Sequence, residues 1–221
     1  MPPKPASFWR RNGLSLAFAG LTLASLLGHV LAGRSAENHE RLQHGLAVLD
    51  IVQYLGSGVF LSSLFENWES EFLQMALFVL LTVGLRQKGS SESKPLDETG
   101  EPEATTALQD APWPVRSGGV WLRLYEHSLS IALVVLFAIA FVGHWCGSYR
   151  SYVEKSARAG QAIDHGLWQH LIDSEFWFES FQNWQSEFFS ISVLVLFSIY
   201  LREKDSAQSK DVSAPHSQTG G

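Results

Sequence analysis

Six polar side chains suited to hydrogen bonding, proton exchange or cation binding recur in pairs along this chain. The members of each pair lie 115 or 116 residues apart: His29 with His144, Asn67 with Asn183, and Glu71 with Glu187. An imidazole and a carboxylate can exchange a proton or share a cation, and an amide both donates and accepts hydrogen bonds. The repetition predicts that all six belong to one polar layer, which is the candidate binding site.

Several roles are open for this layer. Its Glu, His and Asn side chains could hydrogen-bond helices together, conduct protons or ions, hold a metal, or bind a lipid or a protein partner. Ionisable groups inside a membrane are costly enough to suggest a function. Two His and two Glu could ligate zinc or a di-metal centre, but the Glu-x-x-His pairs of ferritin-like sites are absent, so metal binding stays open.

Catalytic and nucleic-acid functions find no support in the sequence. It contains no Gly-x-Ser-x-Gly, phosphate loop, His-Glu-x-x-His or dinucleotide fingerprint, so we predict neither an enzyme nor a cofactor. A formal net charge of −6 gives no indication of nucleic-acid binding. The single cysteine, Cys146, excludes an intramolecular disulfide framework and a Cys-rich metal site.

Two more histidine pairs occur, His39 with His44 and His165 with His170. Residues five apart on a helix are separated by about 140° around its axis. We therefore expect neither pair to chelate a metal from one helix face.

Four apolar runs must position the polar residues. Residues 14–32 and 129–147 are 19 residues each without a formal charge, apart from the two histidines if protonated, and approach the roughly 20 residues that cross a bilayer. Residues 72–85 and 188–201 are only 14 each, about 21 Å of helix. Extending these spans back to Phe65 and Phe181 places the Asn-Trp-x-Ser-Glu-Phe motif within their first two turns; a thinned or tilted bilayer with the motif at headgroup level is the alternative.

Counting from the cytoplasmic ends puts the candidate residues at a common depth. His29 and His144 lie 18 residues beyond Arg11 and Glu126, about 27 Å of helix, and Glu71 and Glu187 precede Arg86 and Arg202 by 15 residues, about 22 Å. Each span carrying a histidine is followed by an antiparallel span carrying a glutamate. We therefore expect His29 to pair with Glu71 and His144 with Glu187, below the outer headgroups.

Basic residues predict the orientation. Eleven of the 16 lie before the first span, between the second and third, or after the fourth, which places both termini in the cytoplasm. Tryptophans flank the spans, and Trp68 and Trp184 are expected to anchor the outer interface. A cleaved signal peptide is the alternative for the first span, but its internal copy at residues 129–147 cannot be one.

These features predict an all-α polytopic membrane protein with four transmembrane helices, arranged as two parallel-repeat hairpins at 1–86 and 120–204. Residues 87–119 are expected to form a flexible cytoplasmic linker, and 205–221 a disordered cytoplasmic tail. Interfacial helices are expected on the outer side, within residues 46–64 and 163–178. The bilayer is the expected partner, with a second membrane protein or another copy of the chain as further candidates.

The duplicated motif also resembles a known family. Residues 65–74, the run ending at 85–90, and residues 176–188 look like a bacterial membrane-protein family catalogued as a domain of unknown function. The resemblance covers residues 8–204 and implies a protein of the bacterial inner membrane, without implying an activity. The sequence thus predicts an integral membrane protein whose Glu/His/Asn layer orders the bundle and could bind a partner, lipid or cation; a proton- or ion-conducting oligomer is the alternative.

Overall fold

Helices are the regular secondary structure of residues 7–96 and 111–220, the ranges that this computed structural model describes, and no β-strand occurs in them. Eight helices follow one another: α1 (Phe8–Gln43), α2 (Ile51–Leu55), α3 (Gly58–Gly84), α4 (Trp113–Ser117), α5 (Gly119–Glu126), α6 (Ser128–Arg158), α7 (Leu167–His170) and α8 (Ser174–Tyr200). The all-α class predicted from the sequence is confirmed.

Two of the described helices, α1 and α6, are long and apolar enough to cross a membrane. They contain the two 19-residue apolar runs. Helices α3 and α8 have 27 residues each, but their first halves carry the Asn-Trp-x-Ser-Glu-Phe motif and other polar residues. Length and composition therefore identify two candidate spans.

Both long helices continue 11 residues past the apolar runs, α1 to Gln43 and α6 to Arg158, where the sequence suggested outer loops. Ion pairs join residues of the polar extensions, both within α1 and between α1 and α6. The Arg158 guanidinium donates to the carboxylate of Glu37, which is buried, and Arg41 lies 3.8 Å from the same carboxylate. An apolar run predicts which part of a helix can enter a membrane. The helix itself continues beyond that run, through residues that form these ion pairs.

The short helices between the long ones are smaller than the sequence suggested. Helix α2 has five residues and α7 has four, because α3 already begins at Gly58 and α8 at Ser174. Asp50 accepts from the Gln53 N–H at 2.8 Å, and Gln53 accepts from the Asp50 N–H at 2.9 Å, which forms a capping box at the start of α2. Their location at a membrane surface stays a prediction.

The described residues form two compact units, and each unit combines separate stretches of the sequence. Unit 1 holds residues 7–62 and 146–164, and unit 2 holds 63–96, 111–145 and 165–220. Helices α3 and α6 contribute to both. The division predicted from the sequence, with boundaries after residues 86, 119 and 204, stays a prediction, and residues 97–110 of its linker and residue 221 of its tail lie outside the described ranges.

In unit 1, the first turn of α3 packs directly on the last third of α6. A Cβ on Gly58 would overlap the backbone of Ser151, and one on Gly147 would lie 2.5 Å from the Ser62 nitrogen. The Gly58 N–H donates to both carboxylate oxygens of Glu154 at 3.2 Å. Glycines at these crossings allow the two backbones to touch.

In unit 2, the segment after α8 forms turns without helix. The Lys210 ammonium is buried and donates to the backbone carbonyls of Gly89, His216 and Gln218. Burial lowers the pKa of this amine, and the nearby Arg202 guanidinium lowers it further. The Ser90 and Ser198 hydroxyls hydrogen-bond at 2.7 Å, so the segment after α3 meets the last turn of α8.

Candidate functional site: a buried histidine–carboxylate cluster

His144 on α6 lies at the centre of a buried cluster in unit 2. Its side chain is 0% exposed, and both ring nitrogens face carboxylates. Nδ1 lies 2.7 Å from Oε2 of Glu69 on α3, and Glu69 is also 0% exposed. Nε2 lies 3.4 Å from Oε2 of Glu179 on α8. Three helices thus converge on one imidazole.

A further set of side chains surrounds this core and satisfies the carboxylates. The Trp184 indole N–H donates to Oε1 of Glu69 at 3.0 Å. The Asn183 amide donates to Glu66, the third carboxylate of the cluster, and to the Glu179 carbonyl at 3.2 Å. Glu66, Glu69 and Glu179 with His144, Asn183 and Trp184 are called the His144 cluster below.

Helical spacing explains why these residues meet. Glu66 and Glu69 are three residues apart on α3, and Glu179 and Asn183 are four apart on α8, so each pair lies on one helix face. The Phe176 ring, one turn before Glu179, is fully buried and lies 4.7 Å from the His144 ring. Aromatic contact fixes the plane of the imidazole and so aims its two nitrogens.

Residues beside His144 hold α6 in place. A Cβ on Gly143 would lie 2.5 Å from the Phe65 ring, so only glycine lets this ring pack against α6. The Trp145 indole N–H donates to the Leu167 carbonyl at 2.9 Å, which ties α6 to α7. Both contacts restrict rotation of α6 and thereby the direction of the histidine.

The charges of the cluster do not balance by themselves. Three carboxylates surround one imidazole, which carries at most one positive charge, and burial makes each uncompensated charge expensive. One ligand atom from each of Glu66, His144 and Glu179 lies within 4.8 Å of the others, close enough for a single cation. The arrangement is therefore able to take up protons or a metal ion.

A second group of potential ligands lies around α7. Nε2 of His165 is 3.1 Å from Nδ1 of His170, the rings are stacked, and Asp173 is within ligand distance. Burial lowers the pKa of His170, and the neighbouring His165 lowers it too. The two histidines do not share a helix face, because α7 begins only at Leu167 and His165 precedes it.

Two of the six sequence-predicted residues, His144 and Asn183, belong to the His144 cluster. Asn67 is exposed and donates to the Ser63 carbonyl of its own helix at 2.6 Å. His29 belongs to unit 1, where its ring lies 5.3 Å from that of Phe60. Trp184, predicted as an interface anchor, donates to Glu69, whereas Trp68 is exposed; an anchoring role for both stays a prediction.

Glu71 and Glu187 pair with each other instead of with a histidine. Their carboxyl groups are in hydrogen-bond contact, with Glu71 exposed and Glu187 half-buried. The predicted pairing of His144 with Glu187 is thus replaced by pairing with Glu69 and Glu179. The reason is helical geometry: Glu69 and Glu71 are two residues apart and project about 160° apart around α3.

The sequence carried one signal for the missed residues. At the 116-residue offset Glu66, Glu69 and Glu179 correspond to Gln182, Gln185 and Ser63, so none of the three has an acidic copy. Selecting residues that recur therefore favoured Glu71 and Glu187 and passed over the three acids that surround His144.

Comparison with known proteins gives one result. The profile of a family described as a domain of unknown function (DUF6766) matches residues 5–221. No curated protein and no solved structure matches the chain.

Proposed function

The chain belongs to the DUF6766 family, and on that premise we propose that it is a bacterial inner-membrane protein with four transmembrane helices whose buried His144 cluster binds a cation. The proposal includes no enzymatic activity. The observation that carries it is the convergence of three carboxylates, that of Glu69 buried and those of Glu66 and Glu179 half-buried, on the buried His144 of a helix apolar enough to span a membrane.

The membrane assignment rests first on α1 and α6, which are long enough and apolar enough to span. Many large apolar side chains of all four long helices are exposed in the chain, among them Leu23, Leu81, Ile139 and Phe197. An exposed apolar surface of this extent is expected to contact lipid. The apolar second halves of α3 and α8 are the second and fourth proposed spans. Each of them returns the chain to the cytoplasmic side.

The cation assignment rests on desolvation. A charge at an intramembrane site must be paired, and such groups mark ion or proton pathways by default. In the His144 cluster the Asn183 amide and the Trp184 indole supply neutral donors, which reduce but do not cancel the excess negative charge. A bound cation or added protons provide the remaining compensation.

Proton or ion conduction by an oligomer is the second candidate. The contact between the Glu71 and Glu187 carboxyl groups favours it, because two carboxyls in hydrogen-bond contact share a proton. Protons could pass between the Glu71–Glu187 pair and the His144 cluster only through further ionisable or polar groups. An assembly of several copies of the chain could supply such groups.

Cysteine accessibility tests the proposed topology in the full-length chain. In a Cys146→Ser background, a membrane-impermeant maleimide applied to intact cells should label Gln43→Cys and Gln161→Cys but not Gln87→Cys or Gln208→Cys. The expected pattern follows from the positive-inside rule, which places both termini in the cytoplasm.

All four positions are exposed glutamines, so the variants are matched in chemistry and access. Permeabilised cells should show labelling at every position. A reversed pattern, or release of the chain from membranes by alkaline carbonate, contradicts the proposal.

A further inference from the structure

We propose that the His144 cluster binds one divalent transition-metal ion, with Nε2 of His144 and the carboxylates of Glu66 and Glu179 as ligands. This inference rests on the proposed function and names the cation that the site takes. Glu69, Asn183 and Trp184 act as positioning residues that hold the ligands.

The two contacts of His144 differ in a way that indicates a ligand on one side. The 2.7 Å separation between Nδ1 and Glu69 is that of a charge-assisted hydrogen bond, typically about 2.7–2.9 Å. At 3.4 Å, the contact between Nε2 and the Glu179 oxygen is longer than this typical range. Two donor atoms on a tetrahedral ion with bonds of about 2.0–2.1 Å stand roughly 3.4 Å apart.

An imidazole that donates its Nδ1–H to Glu69 has its Nε2 lone pair available for a metal ion. The Glu179 carboxylate lies on that Nε2 side, so both atoms could bind the same ion. A metal-binding histidine nearly always donates its other N–H to a carboxylate or carbonyl, which is the role of Glu69 here.

The remaining contacts match the outer shell of a metal site. The Trp184 indole holds the second oxygen of Glu69 at 3.0 Å, and the Asn183 amide holds Glu66. Glu69 and His144 are fully buried, while the Glu179 side chain is 29% exposed. The buried side of the site is thus held by hydrogen bonds, and the Glu179 carboxylate lies on a side that is partly exposed.

Charge and ligand type narrow the class of ion. A divalent ion offsets two of the three negative charges, whereas protonation of His144 offsets one. Magnesium and calcium favour sites made of oxygen ligands alone. One imidazole with two carboxylates suits zinc, manganese(II) or iron(II).

The group formed by His165, His170 and Asp173 is the competing site in the described ranges. Its two histidines are placed to hydrogen-bond each other at 3.1 Å, and Asp173 accepts from the Glu175 N–H at 2.7 Å as the cap of α8. This group serves as an internal control.

Metal content measures the inference directly. The full-length protein in detergent is stripped with a chelator, dialysed separately against Zn²⁺, Mn²⁺ or Fe²⁺, desalted and analysed for metal. We expect about one equivalent of at least one of these ions in the wild type. Glu175→Gln, an exposed residue one turn before Glu179 on α8, should retain it.

The ligand variants should lose the ion. Glu66→Gln combined with Glu179→Gln is expected to lower the retained metal at least about tenfold, and Glu69→Gln to weaken affinity about 10- to 100-fold. The Gln oxygen can still accept the Nδ1–H of His144, so the Glu69 variant loses the acceptor of the Trp184 indole alone and is the milder change. It therefore decides the result if the double variant does not fold.

Two results overturn the inference. One is a folded wild type that retains less than about 0.2 equivalents of all three ions. The other is metal that persists in the Glu66 and Glu179 variant but is lost in His165→Ala. Either result leaves the proposed membrane topology intact, whereas failure of the proposed function shows as a contrary cysteine-labelling pattern at any metal content.

Discussion

Replacing Glu69 with alanine should lower the free energy of unfolding by about 3–5 kcal/mol, the usual cost of removing one partner of a buried ion pair. The substitution removes the acceptor of both His144 Nδ1 and the Trp184 indole. Each is then left buried with an unsatisfied donor. Equilibrium unfolding in mixed micelles, followed by tryptophan fluorescence, measures the loss.

Glu71→Ala is the matched control, two residues further along α3. Glu71 is exposed and its contact is with another carboxyl group, so the free energy of unfolding should change by less than about 0.5 kcal/mol. An equal decrease in the free energy of unfolding for both variants would show that Glu69 and Glu71 have similar environments. That result would contradict the burial of Glu69.

Replacing Gly143 with alanine is expected to destabilise the chain by about 1–3 kcal/mol, the usual cost of overpacking. The new methyl group would lie 2.5 Å from the Phe65 ring and would displace α6 next to His144. Thermal unfolding in detergent measures the change.

The first repeat supplies the control. Gly28, which precedes His29 as Gly143 precedes His144, has no atom within 4 Å of its added Cβ. Gly28→Ala in the middle of α1 should therefore stabilise the chain by about 0.5–1 kcal/mol through helix propensity. A loss at Gly28 as large as that at Gly143 would contradict the packing described here.

The two repeats have kept one contact and changed the charges around it. His29 and Phe60 in unit 1 lie 5.3 Å apart, and the corresponding His144 and Phe176 in unit 2 lie 4.7 Å apart. The acids around His144 have neutral counterparts in the other repeat. The duplication therefore preserves a packing contact, while the three acids of the His144 cluster have no acidic copies.

Much of the helical architecture is predictable from the apolar runs. Residues 14–32 and 129–147 lie inside α1 and α6, and the all-α class follows from them. The 11-residue extensions of both helices were not predictable in this way. They depend on the pairing of Glu37 with Arg158, two residues more than 100 positions apart whose contact no local pattern encodes.

The site was predictable only in part. Recurrence selected His144 and Asn183, which the structure places in the His144 cluster, because both have copies in the two sequence repeats. It also selected Glu71 over Glu69, since only Glu71 has an identical copy. Which of two polar faces on α3 is buried depends on the rotation of the helix, and that rotation is set by Gly143, Phe65 and Phe176 in three dimensions.

The coupling between Glu69 and His144 tests the central claim most directly. A double-mutant cycle with Glu69→Ala, His144→Ala and the combined variant isolates their interaction in the free energy of unfolding. Residues in direct contact should couple by about 0.5–3 kcal/mol, and this buried pair is expected near the upper end. Additive effects, as expected for Glu71 with His144, would contradict the existence of the cluster.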